Sequence, residues 1–161
     1  MLPIHVILCP TDFSERSRSA LHLACVLARD YGARLVVLHV AVAPTVVYGE
    51  GLVPPDTDLL LQEAQEELNR LEVPNADIRA ERRLEQGDPA VETLRVALEI
   101  GANLIVMGTH GRTGLGRLLL GSVAEQVMRQ AACPVLTIKT PFPEAVLEPR
   151  ALAKEPVLSS G

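Results

Sequence analysis

Four apolar runs constrain this chain more than any other feature. They are Ile4–Cys9, Arg34–Val42, Asn103–Met107 and Pro134–Lys139. The first three are apolar at nearly every position, so both of their faces must be covered; the fourth is interrupted by Thr137. Patterns of helical period separate them. Ser14–Asp30 carries Leu21, Ala24, Cys25 and Ala28 on one side and is closed by Tyr31-Gly32. Asp56–Leu71 aligns Leu60, Ala64, Leu68 and Leu71 on one face, with Gln and Glu opposite. Asp88-Pro89, an N-cap followed by proline at the first helical position, opens a helix that runs to about Ile100 and stops at Gly101. Ser122–Ala132 is the last helix. A fifth strand, Ala76–Leu84, alternates weakly, with Ile78, Ala80, Arg82 and Leu84 on one side; its charge assigns it to a sheet edge. Strands that alternate with helices predict an α/β fold: a single-domain, doubly wound, parallel five-stranded sheet with helices on both faces. In such sheets ligands bind at the carboxyl ends of the strands, where the winding reverses.

The 161 residues suffice for one domain with a core, here about 1–140. Residues 141–161 differ: Pro141, Pro143, Pro149 and Pro156 make a proline-rich tail that cannot continue a helix or central strand, and that reads as a disordered end or a partner-binding strap. The segment 43–55, with Pro44, Gly49, Gly51, Pro54 and Pro55, reads as loop. No internal repeat is visible.

The apolar content is almost entirely aliphatic, with no Trp, two Tyr and two Phe. Stacking platforms for single-stranded nucleic acid are therefore lacking, and a net charge of −5 opposes nucleic-acid and anionic-membrane roles. Cys9, Cys25 and Cys133 are distant and odd in number, so neither a zinc site nor a redox pair is expected. There is no basic region ahead of the first apolar run and no stretch long enough to span a bilayer, so a cytoplasmic protein is expected.

The chemistry concentrates after the fourth strand. Gly108-Thr109-His110-Gly111, nine further residues, then Gly121-Ser122 form a glycine-rich connection into a helix start. Backbone N–H groups without side chains in front of them can cradle an anion, and the helix N-terminus adds partial positive charge. Arg112 and Arg117 are the available cations. The P-loop lysine is missing, since Ser122 follows Gly121, and Gly114-Leu115-Gly116 lacks the third glycine of the dinucleotide fingerprint. A plainer reading keeps Ser122 and Glu125 as a capping box. Likewise Asp12 reads equally as a ligand contact or, with Glu15, as a helix cap. His39, on a buried strand, reads as a satisfied core histidine, and the Glu-rich face of 62–72 as solvated.

Three stretches resemble the universal stress protein family, in its nucleotide-binding branch: Ile7 to Ser14, Gly87 to Ala90, and Leu104 through Ala124. The ending Cys133-Pro134-Val135-Leu136 also fits, and the resemblance covers about residues 3–140. The family's Gly-x2-Gly-x9-Gly-(Ser/Thr) signature is complete. The resemblance implies a sheet of order 3-2-1-4-5 and an ATP site. Asp12, with Pro10 and Thr11, would contact the adenosine; Val40 would lie against the adenine; Met107 and Gly108 would line the nucleoside pocket. His110, Gly111 and Arg112 would approach ribose and phosphates, and Gly121, Ser122 and Val123 would hold the phosphates. Mg2+ would be held through the phosphates and water rather than by a protein ligand cluster. The resemblance also implies a homodimer through the fifth strand, residues 134–139. The expected function is an ATP-binding, dimeric stress-response protein acting as a sensor or partner-regulating module. A slow ATPase or autophosphorylating enzyme and a nucleotide-free interaction protein are the alternatives. Asp12 and His110 sit in no catalytic motif, so at most weak ATP hydrolysis is expected.

Overall fold

The structure, a computed structural model, describes residues 3–42, 56–74, 77–109 and 121–139. Strands β1 (Val6–Pro10), β2 (Arg34–Ala41), β3 (Ala80–Gln86), β4 (Leu104–Gly108) and β5 (Val135–Ile138) alternate with helices α1 (Glu15–Tyr31), α2 (Thr57–Arg70), α3 (Pro89–Glu99) and α4 (Ser122–Gln130). The strands form one sheet in the order β3-β2-β1-β4-β5, every pair parallel. This is the doubly wound sheet the apolar runs require. The winding reverses between the central strand, β1, and its neighbour β4.

Both faces of the sheet are covered. On one, Ile7, Cys9, Leu35, Val37 and Val106 pack with Leu21, Ala24 and Cys25 of α1 and Leu68 of α2. On the other, Leu8, Val36, Leu38 and Ile105 pack with Val96 and Ala97 of α3 and Ala124 and Val127 of α4. Burial pushes the Cys25 thiol up to about 12 and raises that of Cys9 as well, with the neighbouring Cys25 adding to the latter. Both act as small core hydrophobes.

Local chemistry sets the helix ends. Ser14 caps α1, accepting from the Ser17 N–H at 3.3 Å. Gly32, at φ 62°, ends it in the left-handed conformation that glycine adopts most cheaply. Asp56 and Asp88 cap α2 and α3 through their carboxylates. Asp12 is therefore not the cap of α1; it lies two residues ahead of it and accepts the Ser14 N–H at 3.0 Å.

The third strand is displaced from its sequence assignment. It starts at Ala80 rather than Ala76 and reaches Gln86, because seven rungs pair it with Leu35–Ala41 of β2. The partner strand, not the weak alternation, sets its limits. Ile78, Ala80 and Leu84 do face the core, but Arg82 on the same side turns its guanidinium to the Leu68 and Leu71 carbonyls at the end of α2. Its position completes a helix terminus rather than filling the core.

Candidate functional site

A cleft of about 620 Å³ opens at the carboxyl ends of β1, β2 and β4, where the sheet winding reverses. Pro10, Thr11 and Asp12 enter it from the end of β1, Val40 from β2, Met107 and Gly108 from β4, and Gly121, Ser122 and Val123 from the start of α4. These nine residues, separated by up to 113 positions in the chain, share one cavity because parallel strands all end on the same side. His110, Gly111 and Arg112, with Arg117, the 43–55 loop and the 141–161 tail, lie outside the described residues.

The start of α4 differs from the capping box of the plainer reading. Its N-cap is Gly121, one residue earlier than Ser122, and no side chain bonds to the cap position. The Gly121 N–H donates to the Thr109 carbonyl at 2.7 Å, which fixes the helix start beside the end of β4. The N–H groups of Ser122, Val123 and Ala124 belong to the first turn, whose donors have no intrahelical acceptor. Thus α4 begins in the cleft with a partially positive terminus that no side chain caps among the described residues. Gly121 sits at φ −60° and ψ 148°, a conformation open to any residue. Backbone strain therefore does not require glycine there.

Gly108 does have a reason to be glycine. A Cβ at this position would lie 3.2 Å from the Arg16 backbone carbon and 3.2 Å from Arg16 Cβ. Its missing side chain lets the first turn of α1 close on the end of β4.

The β1–α1 connection is held by its own polar groups. The Thr11 N–H donates to the Leu38 carbonyl at 2.8 Å, and the Thr11 hydroxyl accepts the Phe13 N–H at 3.1 Å while also meeting the Ser17 hydroxyl at 3.1 Å. The Thr11 carbonyl accepts from His39 Nδ1 at 2.8 Å. His39 is therefore a satisfied histidine, as its strand position suggests, yet it also lines the cleft. Burial raises the pKa of Asp12, but hydrogen bonds from Ser14, both side chain and backbone, and from Ser17 outweigh it, and the carboxyl is held below its ordinary value. Asp12 is charged at neutral pH.

Sequence reasoning missed part of the wall. Phe13, Ser17, His39, Thr93 and Thr109 line the cleft, and so do Leu60, Glu63, Ala64 and Glu67 of α2. The apolar face of α2 is divided: Leu68 and Leu71 join the core, while Leu60 and Ala64 turn to the cavity. The 60, 63, 64, 67 spacing, one helix face, was the available signal. Glu63 and Glu67 are exposed, as a solvated face requires, but they edge the cleft as well. Among the described lining residues there is no Lys or Arg, so α4's N-terminus is the fixed positive element there. No metal-holding group of three or more His, Cys, Asp or Glu occurs among the described residues, and no described helix is long and apolar enough to cross a membrane.

The fold and cleft define a doubly wound α/β protein with its ligand-sized cavity at the topological switch point. The profile of the universal stress protein family matches residues 3–139, and the chain belongs to that family. Universal stress protein MJ0531 of Methanocaldococcus jannaschii is 39% identical over 142 residues, covering 86% of this chain and 84% of the relative. The solved hypothetical protein MJ0577 superimposes with a TM-score of 0.74 at 29% identity, over 86% of this chain and 97% of its own. The universal stress protein from Archaeoglobus fulgidus, solved in complex with dAMP, gives a TM-score of 0.61 at 25% identity, over 86% and 100% of the two chains.

Proposed function

We propose that this universal stress protein binds an adenine nucleotide in the cleft and works as a nucleotide-dependent sensor or partner-regulating module. The observation that carries the reading is the start of α4: a helix N-terminus at Gly121, without a side-chain cap among the described residues, facing a cavity of about 620 Å³. Phosphate groups complete such a terminus with charge-assisted hydrogen bonds. Gly121, Ser122 and Val123 take the phosphates in this reading. Pro10, Thr11, Asp12, Met107 and Gly108 surround the nucleoside, and Val40 lies against the base. His110, Gly111 and Arg112 belong to the same reading on the strength of the signature. The dAMP-bound relative supports an adenine nucleotide. ATP is the proposed ligand, with Mg2+ held by the phosphates and water, consistent with the hard-ion preference for phosphate oxygen and water.

The outer edge of β5, beside β4 at the end of the sheet, supports a homodimer formed through residues 134–139. In β5 the Pro134 and Ile138 carbonyls accept from Ile105 and Thr109 of the β4 side, so Val135 and Thr137 present their backbone groups outward.

The test is mass spectrometry of the purified chain after denaturation, followed by calorimetry with ATP and Mg2+. Release of an adenine nucleotide, or binding to ligand-free protein with turnover at background, is the expected result. Steady phosphate release that disappears in Asp12→Ala would replace the reading with a slow ATPase. No bound nucleotide and no binding of ATP, ADP or AMP would replace it with a nucleotide-free interaction protein.

A further inference from the structure

His39 belongs to no part of the family signature, yet its ring stands where the β1–α1 connection meets the cleft. We propose that His39 is a positioning residue: its Nδ1–H tethers the Thr11 carbonyl and holds the Thr11–Ser14 connection in the conformation that presents Asp12 to the cavity. The inference rests on the nucleotide reading for its consequence, though not for its geometry.

A carbonyl oxygen only accepts. The 2.8 Å contact between His39 Nδ1 and the Thr11 carbonyl therefore assigns the hydrogen to Nδ1, and the neutral ring is the Nδ1–H tautomer. The bond lies just past the last backbone rung between these strands, the Thr11 N–H to the Leu38 carbonyl. There the chain leaves the sheet, and a side chain supplies the donor for Thr11.

What the tether holds is an unfavourable turn. Phe13 is buried and has φ 63°, the one non-glycine residue with positive φ among the described residues. A bulky side chain in that region persists only where its surroundings impose it. The surroundings here are few and identifiable. The Phe13 N–H is held by the Thr11 hydroxyl, the Ser14 N–H by Asp12 Oδ1, and the Phe13 ring lies against the His39 ring with centroids 4.3 Å apart. His39 thus grips both sides of Asp12: Thr11 through a hydrogen bond and Phe13 through its ring. Freeing the Thr11 carbonyl would leave a buried acceptor unpaired and let the turn relax, moving the Asp12 carboxylate.

The full-length chain tests this. Ring 15N shifts of the unsubstituted protein near neutral pH should show His39 as the Nδ1–H tautomer; an Nε2–H tautomer overturns the proposal, and that measurement needs no variant. H39N retains an N–H donor at the place of Nδ1, whereas H39L keeps bulk and loses the donor. Amide exchange at Phe13 and Ser14 should accelerate about tenfold in H39L and return part of the way in H39N, which keeps the donor but not the ring against Phe13, and ATP affinity should fall about tenfold in H39L and partly recover in H39N. Unchanged exchange in H39L, or equal impairment in both variants, overturns the tether. If the unsubstituted chain binds no adenine nucleotide, the nucleotide reading fails, while the tautomer and the exchange rates still decide the role of His39.

Discussion

Gly121→Asp separates what α4 needs for folding from what the cleft needs for a ligand. The substitution meets no conformational obstacle, since φ −60° and ψ 148° suit any N-cap residue. α1, α2 and α3 carry side-chain caps from Ser14, Asp56 and Asp88, whereas α4 carries none among the described residues. An aspartate at position 121 would accept from the N–H groups of Val123 or Ala124. Replacing glycine by a side-chain cap is worth a few tenths of a kcal/mol, and a negative charge at a helix N-terminus adds about 0.3–1 kcal/mol, so the free protein should gain about 0.5–1.5 kcal/mol. For a chain of this size that raises Tm by about 1–6 °C. The same carboxylate would occupy the donors that the proposed site offers to phosphate and would repel its charge. If the cleft binds ATP as proposed, a hundredfold excess over Kd should stabilise the unsubstituted protein by about 2.7 kcal/mol, or about 5–11 °C. In Gly121→Asp that shift should fall below about 1 °C. Scanning calorimetry with and without ATP reads both effects, with adenosine as the phosphate-free control. A free variant that melts lower would mean that glycine serves packing rather than ligand space. An ATP shift of undiminished size would remove the phosphates from α4.

Three further outcomes are expected. Gly108→Ala places a Cβ about 3.2 Å from the Arg16 backbone, too close for an unshifted helix; chemical denaturation should show a loss of about 1–2 kcal/mol, less than full overpacking because alanine also restricts the unfolded chain. Thr137→Pro removes an outward-facing donor of β5 and leaves its ladder with β4, so light scattering should report monomer while circular dichroism stays unchanged; a persisting dimer would place the interface elsewhere. Because the Asp12 carboxyl is held below its ordinary value in the folded state, its charge stabilises the fold above the unfolded aspartate value of about 3.9 and that contribution is lost as pH falls through the folded value. Asp12→Asn should therefore show a shallower loss of Tm below about pH 4 than the unsubstituted chain; equal slopes would contradict the shift.

Much of this protein was legible in one dimension because its strongest signals are local. Pro89 after Asp88, Gly32 after Tyr31 and the unbroken apolar strands β1, β2 and β4 each express a preference that a few adjacent residues settle among themselves. The family signature, being a run of residues in order, was legible for the same reason, and the wider family resemblance named nine of the residues that meet in the cleft. The failures share a cause. The limits of β3 depend on which rungs β2 offers, and Ala80 rather than Ala76 begins it because pairing starts at Leu35. Whether Asp12 or Ser14 caps α1 depends on a turn at Phe13 with φ 63°, an improbable conformation that no local propensity favours. Leu60 and Ala64 share a face with Leu68, but only the packing of α2 over the sheet decided that two would line a cavity and the third would be buried. His39 read as a satisfied core histidine, but the partner that satisfies it became legible only when the sheet brought the Thr11 carbonyl within 2.8 Å of its ring. The sequence by itself determined which segments are strands and helices and which motif runs into α4. Only the tertiary structure decided which atoms meet across 28 or 113 positions of chain, because those contacts follow from the parallel stacking of strands and not from any residue's neighbours.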